Sequence, residues 1–169
     1  MVAALGLYLG MAARNARTPV EESPPPATSL VAGSPFPDVP LLAEDGRLTS
    51  SHEVLGGEGG VVIFLLLGCS PCKDMSNDWQ RRMDAGELAG IRFYTVANAA
   101  ADKIALYKGN NHYSFPIYAD TAAVFTREHQ VADFPLLVVV DRSNVIRYQT
   151  WDPVAAVDMD VVRGLIAGK

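Results

Sequence analysis

The chain has 169 residues, with hydrophobic side chains at 49% and charged ones at 20%. That is enough for one domain with a packed core plus a tail, and it excludes a disordered chain, a collagen-like chain and a disulfide-dense miniprotein. A net charge of −5 argues against an electrostatically driven nucleic-acid binder. Two cysteines exclude a four-thiolate zinc site and allow at most one internal bridge.

Met1 to Ala13 is almost entirely apolar. As a helix, residues 2–13 would reach about 18 Å, against a hydrocarbon core of about 30 Å. That is short for a span and suits part of an export signal or membrane anchor. Arg14 and Arg17 follow the apolar stretch, against the positive-inside pattern for an exported C-terminus. The alternative is a cytoplasmic chain with an apolar N-terminus. Residues 14–32 then turn polar and carry Pro24-Pro25-Pro26, a composition for an extended linker. The expected organisation is therefore an anchor or signal segment over 1–13, a Pro-rich linker over 14–32 and a globular domain over 33–169.

Within the domain, Val61 to Leu67 is a continuous apolar run, the pattern of a strand buried on both faces. A helix should start near Ser70-Pro71, because proline is favoured in a first helical turn. Met75, Trp79 and Met83 give that helix an inward stripe. Further strands are expected at Ile91–Val96 and Phe115–Tyr118, and helices at Ala100–Tyr107 and Thr121–His129. Leu136–Val140 is a second buried strand. Val145–Tyr148 is its hairpin partner across Asp141-Arg142-Ser143-Asn144. Val154–Ala167 closes the chain as an amphipathic helix. Alternating strands and helices followed by a hairpin and helix predict an α/β fold with a central mixed sheet flanked by helices. Gly56 to Gly60 contains four glycines but lacks the Lys-Ser or Lys-Thr of a phosphate loop, and reads as a turn.

Cys69-Ser70-Pro71-Cys72 carries the chemistry. It falls where a buried strand ends and a helix begins, and a helix N-terminus offers unpaired N–H groups and partial positive charge. Both favour a thiolate at Cys69. Two intervening residues let both sulfurs share one helical turn, so a disulfide can open and close without refolding. Cys69 would attack a target disulfide, and Cys72 would resolve the mixed disulfide. A structural bridge would close almost no loop, and a zinc half-site lacks its other ligands. Phe134-Pro135 stands immediately before a buried strand, an unusual place for proline. A cis peptide bond would account for it, an ordinary trans proline being the alternative.

The ordered series of Gly33 to Leu41 with Asp45-Gly46-Arg47, Phe64 to Lys73, Phe115 to Asp120 with Val124 to Val131, and Phe134-Pro135 to Asp141 with Val145-Ile146 resembles the thioredoxin-fold redoxins. The likeness is to the TlpA/ResA type, which overlaps the alkyl-hydroperoxide-reductase/thiol-specific-antioxidant group. It covers roughly residues 33–167. It implies a thioredoxin-like fold with a strand–helix insertion before the proline-led strand. It implies that Pro135 is cis and, with Phe134, faces the Cys69–Cys72 pair to dock substrate. It further implies a bacterial, extracytoplasmic thiol–disulfide oxidoreductase that acts on protein thiols and draws electrons from a membrane thiol donor. The expected role is that of a monomeric reductant needing no metal or dissociable cofactor, because the Cys69–Cys72 pair carries the two electrons.

The sequence departs from that pattern at several positions. Ile63 and Met75 stand where relatives carry the buried aspartate and the glutamate that serve proton transfer. Gly68 replaces a frequent tryptophan, Asn77 a helix-kinking proline, and Phe134 a smaller residue. Asp74 and Asp133 are the nearest substitutes in sequence for the missing acids. Three other readings compete with this one. A thiol peroxidase wants Pro-x-x-x-Thr-x-x-Cys, but Val62 and Leu66 occupy the proline and threonine positions. A copper chaperone of the Sco type wants three residues between its cysteines and a placed histidine. A non-enzymatic adaptor with incidental cysteines needs neither.

Overall fold

The computed structural model describes residues 28–152 and 157–169. The expected anchor at 1–13, the linker up to residue 27 and the expected start of the last helix at Val154 lie outside the described residues. Residues 28–32, assigned above to the linker, pack on the domain. Leu30 is buried, and the Ser29 backbone N–H donates to the His129 carbonyl at 3.1 Å.

The elements run β1 (Pro40–Leu42), β2 (Leu48–Ser50), α1 (Ser51–Leu55), β3 (Gly60–Leu65), α2 (Ser70–Asp84), β4 (Phe93–Ala97), α3 (Ala101–Asn111), β5 (Ile117–Ala119), α4 (Val124–Arg127), β6 (Leu136–Val140), β7 (Ile146–Thr150) and α5 (Met159–Ile166). They form one seven-stranded mixed sheet in the order β2-β1-β5-β4-β3-β6-β7. Strands β3, β4 and β5 are parallel, and β6 runs antiparallel to β3. Cys69 and Pro135 meet because of that pairing: the C-terminal end of β3 lies beside the N-terminal end of β6, with Phe64 opposite Leu136.

The continuous apolar runs are explained by burial on both faces. Val61, Ile63 and Leu65 face a core built with α2, α3 and α5, while Val62 and Phe64 face a second core closed by α1 and α4. Strand β6 divides in the same way, with Leu137 and Val139 on one side and Leu136, Val138 and Val140 on the other. Such strands cannot show alternation, because neither face meets water.

Several expected bounds shift. β3 ends at Leu65, so Leu66 and Leu67 belong to the turn that leads to the cysteines. The helix expected over 121–129 is only four residues long, because Ala123 takes a left-handed conformation (φ 53°) just before it. The last helix begins at Met159, capped by the Asp158 side chain. Helix α1 and the β1–β2 hairpin were not expected from the pattern. The turn after α1 ends at Gly60, where the backbones crowd. A Cβ there would stand 2.4 Å from the Arg92 carbonyl oxygen, which already accepts the Val61 N–H at 2.8 Å. Gly60→Ala must push β3 away from Arg92, and a loss of about 2 kcal/mol or more is expected in urea melts.

The β6–β7 turn is held by Asp141. Its carboxylate accepts the Ser143 N–H at 2.8 Å, the Val145 N–H at 2.9 Å and the Arg147 guanidinium at 2.6 Å. Burial pushes the Asp141 carboxyl up, but these donors outweigh it and hold the group below the usual carboxylate range. Its contribution is therefore present above the ordinary carboxylate range and lost as pH falls through the lowered native value. Asp141→Ala should cost about 2 kcal/mol near neutrality, the scale of hydrogen bonds to a charged group. The deficit should shrink in acid, which paired urea melts at neutral and acid pH would read.

Candidate active site

Cys69 and Cys72 form a disulfide with Cα atoms 5.3 Å apart. The pair is built by the β3–α2 junction. Gly68 has φ 86°, a left-handed turn that a side chain disfavours and that accounts for its place ahead of the cysteines. Cys69 then caps α2. Its backbone is extended, Pro71 occupies the first helical turn, and the Cys72 N–H points at Cys69 Sγ from 3.2 Å. That N–H, together with the N-terminal charge of a 15-residue helix, is arranged to stabilise a Cys69 thiolate once the bridge opens.

The two sulfurs differ in access. Cys69 is half-buried at the surface, whereas Cys72 is 0% exposed. Cys72 lies in the same buried cluster as Ile63, Leu65, Met75 and Trp79. The two positions that break the family's pattern, Ile63 and Met75, thus supply hydrocarbon to that cluster. Asp74 and Asp133, the candidate substitutes, are both exposed. The only buried carboxylates among the described residues are Asp120 and Asp141. Asp120 is engaged by the Val124 and Phe125 N–H groups at the start of α4, and Asp141 sits beyond the far end of β6.

The Phe134–Pro135 bond is cis. Pro135 is buried and Phe134 half-buried. The Phe134 carbonyl oxygen lies 3.9 Å from Cys69 Sγ, a separation that supports a hydrogen bond only when that sulfur carries a proton. The structure therefore brings all four expected site residues together. Leu66 and Leu67, beside the cysteines, leave apolar surface at the rim, Leu66 being 48% exposed.

Sequence reasoning missed what lies behind the pair. Ser76, one turn beyond Cys72 on α2, is buried, and its hydroxyl and that of Tyr107 both neighbour the Tyr113 phenol. Next to Ser76, Asn77 Oδ1 accepts from the Tyr113 hydroxyl at 2.8 Å and ties α2 to the segment after α3. Burial, with the neighbouring Tyr107 adding to it, pushes the Tyr113 phenol well up, so it stays protonated. The helical period places Ser76 on the inner face with Cys72, but no spacing in the sequence brings Tyr107 and Tyr113 to it.

A dithiol pair capping a helix after the central strand, opposite a proline-led strand in a thioredoxin-like fold, is the arrangement of a thiol–disulfide oxidoreductase. The chain belongs to the AhpC/TSA family, whose model matches residues 32–149. Among solved structures, a putative thiol:disulfide interchange protein DsbE from Chlorobium tepidum is 20% identical. It covers 83% of this chain and 98% of its own, with a TM-score of 0.66. StoA from Bacillus subtilis is 17% identical over 78% of this chain and 97% of its own, with a TM-score of 0.59. Peroxidoxin BcpB from Mycobacterium tuberculosis is 15% identical over 80% and 92%, with a TM-score of 0.58. At these identities the likeness is one of fold. A search of curated proteins finds no match.

Proposed function

We propose that the protein is an extracytoplasmic thiol–disulfide oxidoreductase that reduces disulfides in other proteins, with Cys69 as nucleophile, Cys72 as resolving thiol and the Phe134–Pro135 segment as substrate dock. The observation that carries this reading is the unequal burial of the two sulfurs at the head of α2. A target can reach only Cys69. In the forward step the Cys69 thiolate attacks one sulfur of the target disulfide. That bond breaks, and the displaced target sulfur leaves as a thiolate and takes a proton. Cys72, deprotonated, then attacks Cys69 Sγ. The mixed disulfide breaks and the second target sulfur is released and protonated. Two electrons pass to the target, and the Cys69–Cys72 bridge remains.

The apolar residues 1–13 and the linker that follows favour a tethered, exported domain, and a membrane thiol donor would restore the dithiol. The name of the Chlorobium tepidum structure, a putative thiol:disulfide interchange protein, supports the exchange chemistry. A peroxidase reading draws on the peroxidoxin likeness. Val62 and Leu66, both apolar, stand where that chemistry needs proline and threonine.

The test is the equilibrium reduction potential of the pair, measured by thiol trapping in defined redox buffers. A value of about −270 mV supports a reductant, and one of about −120 mV reverses the assignment to disulfide donation. A pair that does not cycle overturns the enzymatic reading in favour of an adaptor.

A further inference from the structure

The β1–β2 hairpin touches β5 through a single residue pair, Leu42 with Ala119, level with Ala97 and Leu65 at the disulfide end of the sheet. At the end of the sheet away from the disulfide, β5 begins only at Ile117, across from Thr95. No β5 residue stands opposite Phe93. The Arg92 carbonyl turns to β3, where it accepts the Val61 N–H, and the Thr95 N–H turns the other way, to the Pro116 carbonyl. The alternation along β4 therefore leaves the Phe93 N–H and C=O directed into the gap. The gap is a notch of about 400 Å³, lined by Arg47, Glu53, Val54, Phe93, Pro116 and Tyr118, with Arg92 and Tyr94 beside them. That volume is within the range of small-ligand sites.

The charges in the notch are unequally satisfied. Glu53 is engaged by the Thr49 hydroxyl at 2.9 Å and the Ser50 N–H at 3.1 Å. Glu44 is held by Lys108, and Asp45 accepts the Arg47 N–H at 3.0 Å. Arg92 donates from Nε to Glu58 at 2.8 Å, and its guanidinium lies flat against Gly56, where a Cβ would stand 3.3 Å from Cζ and from one terminal nitrogen. It is thus held in place with terminal nitrogens to spare. Arg47 makes no ion pair among the described residues. Both guanidinium groups bear on one point: burial pushes the Tyr118 phenol up, and the charges of Arg47 and Arg92 each oppose that.

We infer that this notch binds the C-terminal carboxylate of an extended polypeptide, the carboxylate bridging Arg47 and Arg92 and the last backbone unit pairing with the open edge at Phe93. The two elements of recognition are distinct. Paired guanidinium groups select a carboxylate, and an unpaired strand edge selects an extended backbone. Val54, Pro116 and Tyr118 add an apolar wall for the terminal side chain. The site is separate from the cysteines and leaves their chemistry untouched.

The test uses the full-length oxidised protein and the tripeptide acetyl-alanyl-valyl-leucine, its C-terminal amide, and acetate. Binding is read by backbone amide shifts in NMR titrations. The free-acid peptide should shift Arg47, Phe93, Tyr94 and Tyr118 while leaving Cys69 and Cys72 unmoved. The amide should bind at least about tenfold more weakly, and so should the acid peptide to Arg47→Gln. Arg47→Gln should keep the wild-type reduction potential, which shows that it folds. Equal binding of acid and amide overturns the inference, as does no binding at millimolar peptide. Shifts confined to Cys69 and Phe134 would mean a substrate-site encounter and also overturn it. Acetate saturating the notch at the peptide's own concentration would make it a small-anion site, and the polypeptide assignment would fall.

Discussion

Cys69→Ser reduces thiol–disulfide exchange to the buffer background, whereas Cys72→Ser attacks a target once and remains joined to it. The asymmetry follows first from access, and the helix N-terminus that favours a thiolate at Cys69 adds to it. An attacking sulfur must approach the target S–S bond in line. Cys69 can, at the surface end of α2, and Cys72, 0% exposed beneath it, cannot. Folding does not confound the comparison. Serine at position 69 keeps a side-chain acceptor for the Cys72 N–H, because serine is a good helix N-cap. A bridge between residues 69 and 72 also restrains little of the unfolded chain, so its loss changes stability only slightly. Reduced variants mixed with a disulfide-bearing protein and resolved without reductant give the answer. A mixed disulfide that accumulates with Cys69→Ser, and not with Cys72→Ser, would invert the roles.

The legible parts of the fold were those whose cause is local. β3 and β6 showed as unbroken apolar runs because each is buried on both faces. The start of α2 showed through Pro71, and its inner face through Met75 and Trp79, both buried as expected. The site was legible for the same reason, since Cys69 and Cys72 are neighbours in the chain. Pro135 was placed opposite them through the resemblance, because its proximity depends on the β3–β6 pairing, which no local pattern encodes.

The elements that escaped are short or set by distant contacts. β1 and β2 have three residues each, and Leu48 is exposed, so no alternation could accumulate. Helix α1 has five residues, yet its start was written in the sequence. Ser50 and Glu53 form a capping box, with the Glu53 carboxylate on the Ser50 N–H and the Ser50 hydroxyl on the Glu53 N–H. Helix α4 was overestimated for the opposite reason. Its apolar residues are Val124 and Phe125, the latter buried among Phe36 and Phe64. Asp120 supplies both carboxylate oxygens to the helix start, so the turn is ordered by a cap and one anchor instead of by length.

The second large effect belongs to Ile63. Cys72 must lose a proton before it can attack Cys69 Sγ, and its hydrocarbon surroundings disfavour the charged sulfur. No buried carboxylate among the described residues is available to it, since Asp120 and Asp141 are committed elsewhere. Resolution of the mixed disulfide should therefore be slow near neutrality and accelerate about tenfold per pH unit as the thiolate fraction rises. Ile63→Asp directs a carboxyl into the cluster that holds Cys72, because Ile63 shares the inner face of β3 with Val61 and Leu65. Two consequences are expected. Stability falls by several kcal/mol, from the lost apolar burial and the desolvated acid. The native state favours the protonated form of that acid, so its native pKa lies above the unfolded value. The loss is then smaller in acid and grows as pH rises through the unfolded and native values. Under conditions where the variant still folds, resolution should quicken at neutral pH and lose part of its steep pH dependence. Quenched-flow trapping of the mixed disulfide across about pH 6–8, below the ordinary thiol range, reads both proteins where the thiolate is the minor form. A flat profile in the unmodified protein would mean that a base reaches Cys72 after all, and Asp74 and Asp133 would become the residues to replace.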